Sequence, residues 1–417
     1  MPTEKGIVIR DLDLPSDGAS LQRVWREIGW SDSNRTDRMM LEFYSEGSTG
    51  VGTIDDEVEC AVLSQPGTMR LDAKDLPLCV VSAVTTSRIA RGLSLAQKLT
   101  ARQLAKGQQD GAAVATLGMF DQGFYNKLGF GTGAYINEFS FDPVLLNVEI
   151  KPRTPRRLTA EDSEQMLATM MARPRSHGSV TLNLPKTFKS ELDRGSRFGL
   201  GYYEGDRLTH FVWMKEKGEN GPYRVEWMGY ETGDGLLELL ALLKSLADQI
   251  YAVWMIEPPQ VQLQSMLRRP FRSQAIAEKG KFSAEQETYA WYQLRVLDLV
   301  QCVEALHYCG PQINFQLNLH DPMDQLLLSP ELAEQQFSWQ SLSGHWIVSL
   351  GQHAKAERGE DAKLPALTCN IGTLSRLFWG VSPASSLAIS DGLRAPSELI
   401  GALDKAFTAN PKPGWDF

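Results

Sequence analysis

The sequence predicts an α/β (α+β) protein of mixed sheets, laid out in three consecutive segments. Over residues 7–143, short β-rich runs alternate with helix-periodic ones, the pattern of strands joined through helices. The same rhythm continues to about residue 283 without an obvious sequence repeat. Two stretches punctuate the chain, the Pro- and Arg-rich Lys-Pro-Arg-Thr-Pro-Arg-Arg at 151–157 and the linker-like 280–287. They divide it into segments 1–150, 151–285 and 286–417, and 417 residues exceed what one hydrophobic core accommodates.

In the first segment, residues 21–30 and 38–46 read as helices and 57–64 as a strand. Residues 77–85 are apolar at nearly every position, as a strand covered on both faces requires. Leu93, Ala96, Leu99 and Leu104 then recur on one helical face. That helix ends near Gly107, and Asp110-Gly111 turns into the strand 112–118. A short helix over 123–128 stops at Gly129, a suitable residue just past a helix end. The strand 134–141 is expected to close this segment. The middle segment reads as strands near 199–204, 208–215, Tyr223–Tyr230 and 251–256, with an amphipathic helix over 235–249. The last segment opens at 288–299, continues with strands near 314–319 and Gly344–Leu350, and ends in helices around Ile371–Phe378 and 396–407.

Composition removes several function classes. The 42% apolar and 22% charged residues are ordinary for a globular chain. The longest apolar stretch, 236–246, is broken by Glu238 and Lys244, well short of the ~18 residues of a membrane span. The opening Met-Pro-Thr-Glu-Lys-Gly lacks the basic and apolar regions of a signal peptide, so a soluble cytoplasmic protein is expected. A formal charge of −9 argues against a nucleic-acid partner and leaves room for a cationic one. Five scattered cysteines without a Cys-x-x-Cys pair are expected to be buried apolar side chains, with neither disulfides nor a metal. The six histidines form no His-Glu-x-x-His pair, and there is no Gly-x-Ser-x-Gly nucleophile elbow.

The sharpest chemical signal is Phe124-Tyr125-Asn126-Lys127-Leu128-Gly129-Phe130-Gly131. A tyrosine opening a short helix can aim its hydroxyl into a cleft, and with an ordinary pKa of about 10 it is protonated at neutral pH. It can then serve as a general acid; the alternative is a packed surface helix with two core aromatics. Upstream, the strand Val80-Val81-Ser82-Ala83-Val84 runs into Thr85-Thr-Ser-Arg-Ile-Ala-Arg-Gly-Leu-Ser94 and then a helix. A turn followed by a helix N-terminus suits a phosphate group. Arg88 and Arg91 suit charge-assisted contacts with it, and Gly92 permits close backbone approach.

These two elements resemble the GNAT superfamily of N-acetyltransferases, whose hallmark is aromatic-Tyr-x-Lys-Leu-Gly-Phe. The resemblance implies that amides of Ser82, Ala83 and Val84 hold an acetyl carbonyl. It implies too that Arg88, Ile89, Ala90, Arg91, Gly92 and Leu93 cradle the pyrophosphate of acetyl-CoA, a co-substrate, and that Tyr125 protonates the departing thiolate. The superfamily loop reads Arg/Gln-x-x-Gly-x-Gly/Ala; here Ile89 and Ser94 depart from it.

The whole chain resembles the enhanced intracellular survival (Eis) family. Echoes are Tyr292-Gln-Leu-Arg-Val-Leu-Asp-Leu-Val, Gly372-Thr-Leu-Ser-Arg-Leu-Phe-Trp-Gly and the tail Pro413-Gly-Trp-Asp-Phe417. The resemblance implies a catalytic GNAT domain over 1–150, a degenerate GNAT-like domain over 151–285, and a sterol carrier protein type 2-like domain over 286–417. It implies that the Phe417 carboxylate is a general base. An α-carboxyl titrates at roughly 3.5, so this role requires an apolar pocket to raise it. Acceptors would be aminoglycosides, other polyamines or protein lysines, with no nucleic acid, and the assembly a homo-oligomer, a hexamer. Asp416 and Glu27 then fit an acceptor's ammonium groups, and Trp25 and Trp30 its flat walls; solvated charges and core aromatics are the alternative. The rival of another class is a non-catalytic acyl-CoA or lipid-binding protein in which Ile89 marks a degenerate cofactor loop.

Overall fold

The computed structural model describes residues 6–269, 283–333, 335, 338–415 and 417. The chain forms two compact units. One gathers residues up to 134 with His177–Leu182 and Ala290–Phe417; the other gathers Tyr135–Ser176 and Asn183–Tyr289.

The first unit is built on an eight-stranded mixed sheet. Its leading elements are β1 (Ile7–Asp11), α1 (Leu14–Glu27), α2 (Asn34–Tyr44), β2 (Ser48–Ile54), β3 (Glu57–Leu71) and β4 (Lys74–Thr86). There follow α3 (Leu95–Gln109), β5 (Val114–Gly118), α4 (Gln122–Asn126) and β6 (Gly131–Thr132). The sheet runs β1-β2-β3-β4-β5, then the strand Tyr292–Val296, then β6, and Val180–Thr181 pairs with β3.

Only β4 and β5 are parallel neighbours here, and α3 is the crossover between them. The apolar run Leu78-Cys79-Val80-Val81 is buried throughout, as its composition predicts. Against this sheet α3 buries Leu95, Leu99 and Leu104, each contributing about 1.5–3 kcal/mol by leaving water. The first helix begins earlier than the sequence suggests, at Leu14. Pro15 lies in its opening turn, where a missing N–H costs nothing. In the same unit a four-stranded sheet follows the order Lys355–Arg358, Gly344–Leu350, Ile313–His320, Ala366–Asn370.

Strand Ile136–Phe141 has the residues expected of it but not the place. It lies in the second unit's seven-stranded sheet, between Glu285–Tyr289 and Val253–Ile256. The first sheet is completed instead by Tyr292–Val296, paired with β5 along its length and with β6 at Leu294 and Gln293. Alternation with period two, as in Phe139-Ser140-Phe141 and in Tyr292–Val296, identifies a strand and its faces, never its neighbours.

In the second unit the helix Gly233–Ser245 packs Leu236, Leu239, Leu240 and Leu243 into a core with Val212, Met214 and Val253. Arg153 donates to both oxygens of Glu238, and His210 Nε2 lies 3.0 Å from one of them. The Arg153 hydrogen bond is the largest influence holding the Glu238 carboxyl down at about 2, below its ordinary 4.5. A carboxyl depressed on folding contributes stability above its unfolded value and loses it as pH falls. Acid titration between pH 4.5 and about 2 is therefore expected to weaken this unit. Glu238→Gln should flatten that part of a Tm-against-pH curve.

All five cysteines are free. Four are buried as expected, but Cys309 is exposed, in the loop after the helix Leu299–Ala305. Among the described residues, no helix is long and apolar enough to cross a membrane.

Candidate active site

The site begins where β4 departs from both neighbours. Ser82 stands opposite Leu63 of β3 and Thr85 opposite Ala61, so Ala83 and Val84 together face Val62. This is a β-bulge, and Ala83 takes a left-handed φ of +47° to make it. On the other edge, β4 pairs with β5 only from Leu78 to Val81. β5 itself ends at Gly118, so the β5-facing edge of residues 82–86 has no β5 partner. The C-terminal ends of parallel strands are a common ligand position in α/β sheets.

The bulge has a fixed support. Trp25 Nε1 donates to Tyr44 Oη at 3.0 Å, and that hydroxyl donates to the Ala83 carbonyl at 3.5 Å. Burial pushes the Tyr44 phenol well above its ordinary pKa, so it stays a donor. Trp25 is thus a core residue, packed edge-on against the half-exposed Trp30.

Beyond β4, the loop to α3 turns through Gly92 (φ +84°) and Ser94 (φ +58°), two left-handed residues. Ser94 makes no side-chain cap on α3, which leaves the first-turn amides to other acceptors. Ala90 is buried while Ile89 and Leu93 are exposed, Ile89 by 59%. Arg91 is exposed. Arg88 and Glu27 are bonded to one another: the Arg88 N–H donates to Glu27 Oε2, and its Nη2 to the Glu27 carbonyl, both at 3.1 Å. Glu27 also accepts from Arg23 at 3.0 Å. The Arg88 amide and then Arg23 hold its carboxyl below the usual range.

Helix α4 starts at an Asp121 cap, which accepts from the Phe124 N–H at 2.8 Å. It carries Tyr125, 1% exposed, with its ring edge-on to Phe120, Phe124 and Phe130. Tyr125 shares one core cluster with Val81 and Leu117, the last residues paired between β4 and β5, and Val84 packs on that cluster. Burial drives its phenol well above the ordinary pKa. After the helix, Gly129 adopts φ +80°; a methyl group there would meet Ile371 Cγ2 at 2.5 Å and Arg295 Nη1 at 2.6 Å. No other residue fits that turn without strain.

The end of the chain meets the end of β5. A methyl group placed on Gly118 would lie 3.1 Å from the Phe417 backbone oxygen. The Phe417 ring packs on Trp291 at 4.8 Å and on Tyr292 at 6.4 Å. Behind it Trp415 is buried, the Val180 N–H donates to the Pro413 carbonyl, and the Lys412 N–H donates to that of His177. Asp416 lies outside the described residues.

The structure therefore brings together Ser82, Ala83, Val84, Tyr125 and Phe417 around the ends of β4 and β5. It ties Trp25 into the support and pairs Glu27 with Arg88. Sequence reading missed Tyr44, Gly118, Trp291 and the clip His177–Leu182. Tyr44 had a readable signal as a buried aromatic of α2; its bond to a carbonyl 39 residues away had none.

No protein-family model and no curated protein matches the sequence. Solved structures do match over nearly its whole length. A conserved protein of unknown function from Enterococcus faecalis V583, described as a probable N-acyltransferase, superposes with a TM-score of 0.77 at 15% identity, over 97% of both chains. A GCN5-related N-acetyltransferase from Kribbella flavida gives 0.74 at 18%, over 99% of each chain. Eis1 from Mycobacterium abscessus gives 0.72 at 15%, over 99% of this chain and 100% of its own. With mixed α/β sheets, a β4 bulged where its pairing with β5 stops and this whole-chain likeness, the chain has the fold of the Eis-like GCN5-related N-acetyltransferases.

Proposed function

We propose that the chain is an N-acetyltransferase moving an acetyl group from acetyl-CoA to an amine. One observation carries the reading: the unpaired β4 edge beyond Val81, the Tyr125 core cluster and the Phe417 backbone oxygen all belong to the C-terminal ends of β4 and β5. The edge amides of residues 82–84 suit a pantetheine arm and the acetyl carbonyl. The left-handed turn before α3 and the exposed Arg91 suit a pyrophosphate. Ile89 offers that group no donor, so the backbone carries more of the contact.

In the proposed reaction the acceptor's nitrogen attacks the thioester carbon while its proton passes toward the Phe417 carboxylate. Amides at the bulge stabilise the oxygen that gains charge. The C–S bond breaks, and Tyr125 donates its proton to the leaving thiolate. Aminoglycosides, polyamines and protein lysines are the acceptor classes proposed, and a homo-oligomeric, hexameric assembly goes with this reading. So does a sterol carrier-like role for the last segment.

The exposed Ile89 side chain favours one other reading, a protein that binds acyl-CoA without transferring it. A thiol-release assay with acetyl-CoA and a panel of amines separates the two. Amine-dependent release is expected; acetyl-CoA binding without release for any acceptor would sink the enzymatic reading.

A further inference from the structure

The strand Tyr292–Val296 places a cation in the interior of the first unit. Arg295 and Asp321 form an ion pair in which both side chains are fully buried. A guanidinium enclosed this way must satisfy its N–H groups locally. One arm, Nη2, donates to Asp321 Oδ2. The other, Nη1, donates to the carbonyl of Leu128, just past α4. Its Nε faces the Val296 carbonyl at 3.4 Å, and its charge lies 5.7 Å from the Trp339 ring centre.

Asp321 is itself fixed. Its Oδ1 accepts from the Met323 N–H at 3.0 Å, and its own N–H donates to Ser343 Oγ at 2.9 Å. The turn that follows α4 rests on the helix Ile371–Phe378, Gly129 against Ile371 and Gly131 against the Gly372 carbonyl and Arg376. A helix of five residues has too few internal hydrogen bonds to hold its own place. Its carbonyl end carries partial negative charge, which a cation at Leu128 neutralises.

We propose that the Arg295–Asp321 pair is a positioning device for Tyr125. It fixes the chain just past α4, three residues after the phenol, and transmits the placement of the C-terminal segment to the proton donor. The inference rests on the reading of Tyr125 as general acid. Neither residue touches the reacting atoms, so the device acts on turnover rather than on acetyl-CoA binding.

A buried ion pair can often be exchanged for well-packed apolar side chains without loss of stability, whereas removing one partner leaves a buried charge. The test therefore uses the full chain carrying Arg295→Met with Asp321→Leu. Arg295→Lys serves as the second variant, keeping the charge while losing the fork that reaches both partners. Each is made in the native and the Tyr125→Phe background. KM for acetyl-CoA should stay within about twofold, and kcat should fall at least about tenfold, as expected for a displaced catalytic group. In the Tyr125→Phe background the same changes should cost less than about twofold, because groups acting as one unit are not additive.

Native kcat in the folded variants would overturn the positioning role, as would an equal fall in both backgrounds or a fall in kcat/KM borne by KM alone. Should Tyr125→Phe itself keep native turnover, the reading of the acid falls and takes this inference with it. That outcome is distinct, since it needs no change at Arg295.

Discussion

Tyr125→Phe is expected to lower kcat by about 10²- to 10⁴-fold, the usual contribution of a positioned acid. KM for acetyl-CoA should change little. The substitution removes one oxygen from a ring held on three sides by Phe120, Phe124 and Phe130, so the packing survives. Because burial raises this phenol above its ordinary value, the protonated form persists further into alkali than in a free tyrosine. The sign is clear: Tyr125 should introduce no descending limb in kcat below about pH 10. Steady-state kinetics over pH 6 to 10, with an acceptor whose own titration is known, checks both points. Turnover within threefold of native would remove Tyr125 from the proton path.

Removing Phe417 should cost a comparable factor, about 10²-fold or more in kcat, if its carboxylate is the base. The residue packs against Trp291 and Tyr292 beside the end of β5, and its backbone oxygen stands over Gly118. The tail upstream has its own anchors at Pro413 and Lys412. Loss of the last residue should accordingly leave the melting temperature almost unchanged. An added glycine after Phe417, which moves the charge one residue onward, should act in the same direction. Full activity in the extended chain would exclude the carboxylate as base while leaving the ring free to serve as a wall.

The parts of this site that were legible in the sequence are those set by local chemistry. Residues 121–129 compress a capped helix, a phenol and a left-handed stop into nine residues, and the helix and its stop are recoverable from spacing alone. The apolar run of β4 likewise announces a strand buried on both faces. What distance decides was hidden. The bulge at Ala83 depends on a hydroxyl from Tyr44, and the Phe417 ring depends on Trp291. Arg88 reads as a phosphate ligand because it flanks the turn after β4, and Glu27 as a partner for an ammonium group because it is an acidic residue near the expected first helix. Their bond to one another, across 61 residues, has no signature in either neighbourhood.

The late arrival of Tyr292–Val296 beside β5 has a consequence for biosynthesis. Between Gly118 and its partner Tyr292 lie roughly 170 residues, which a ribosome adding ~5–20 per second delivers over about ten to thirty seconds. During that interval the nascent sheet ends on an open β5 edge, a template for unwanted pairing. The first unit's sheet is thus completed only once residue 296 has been made.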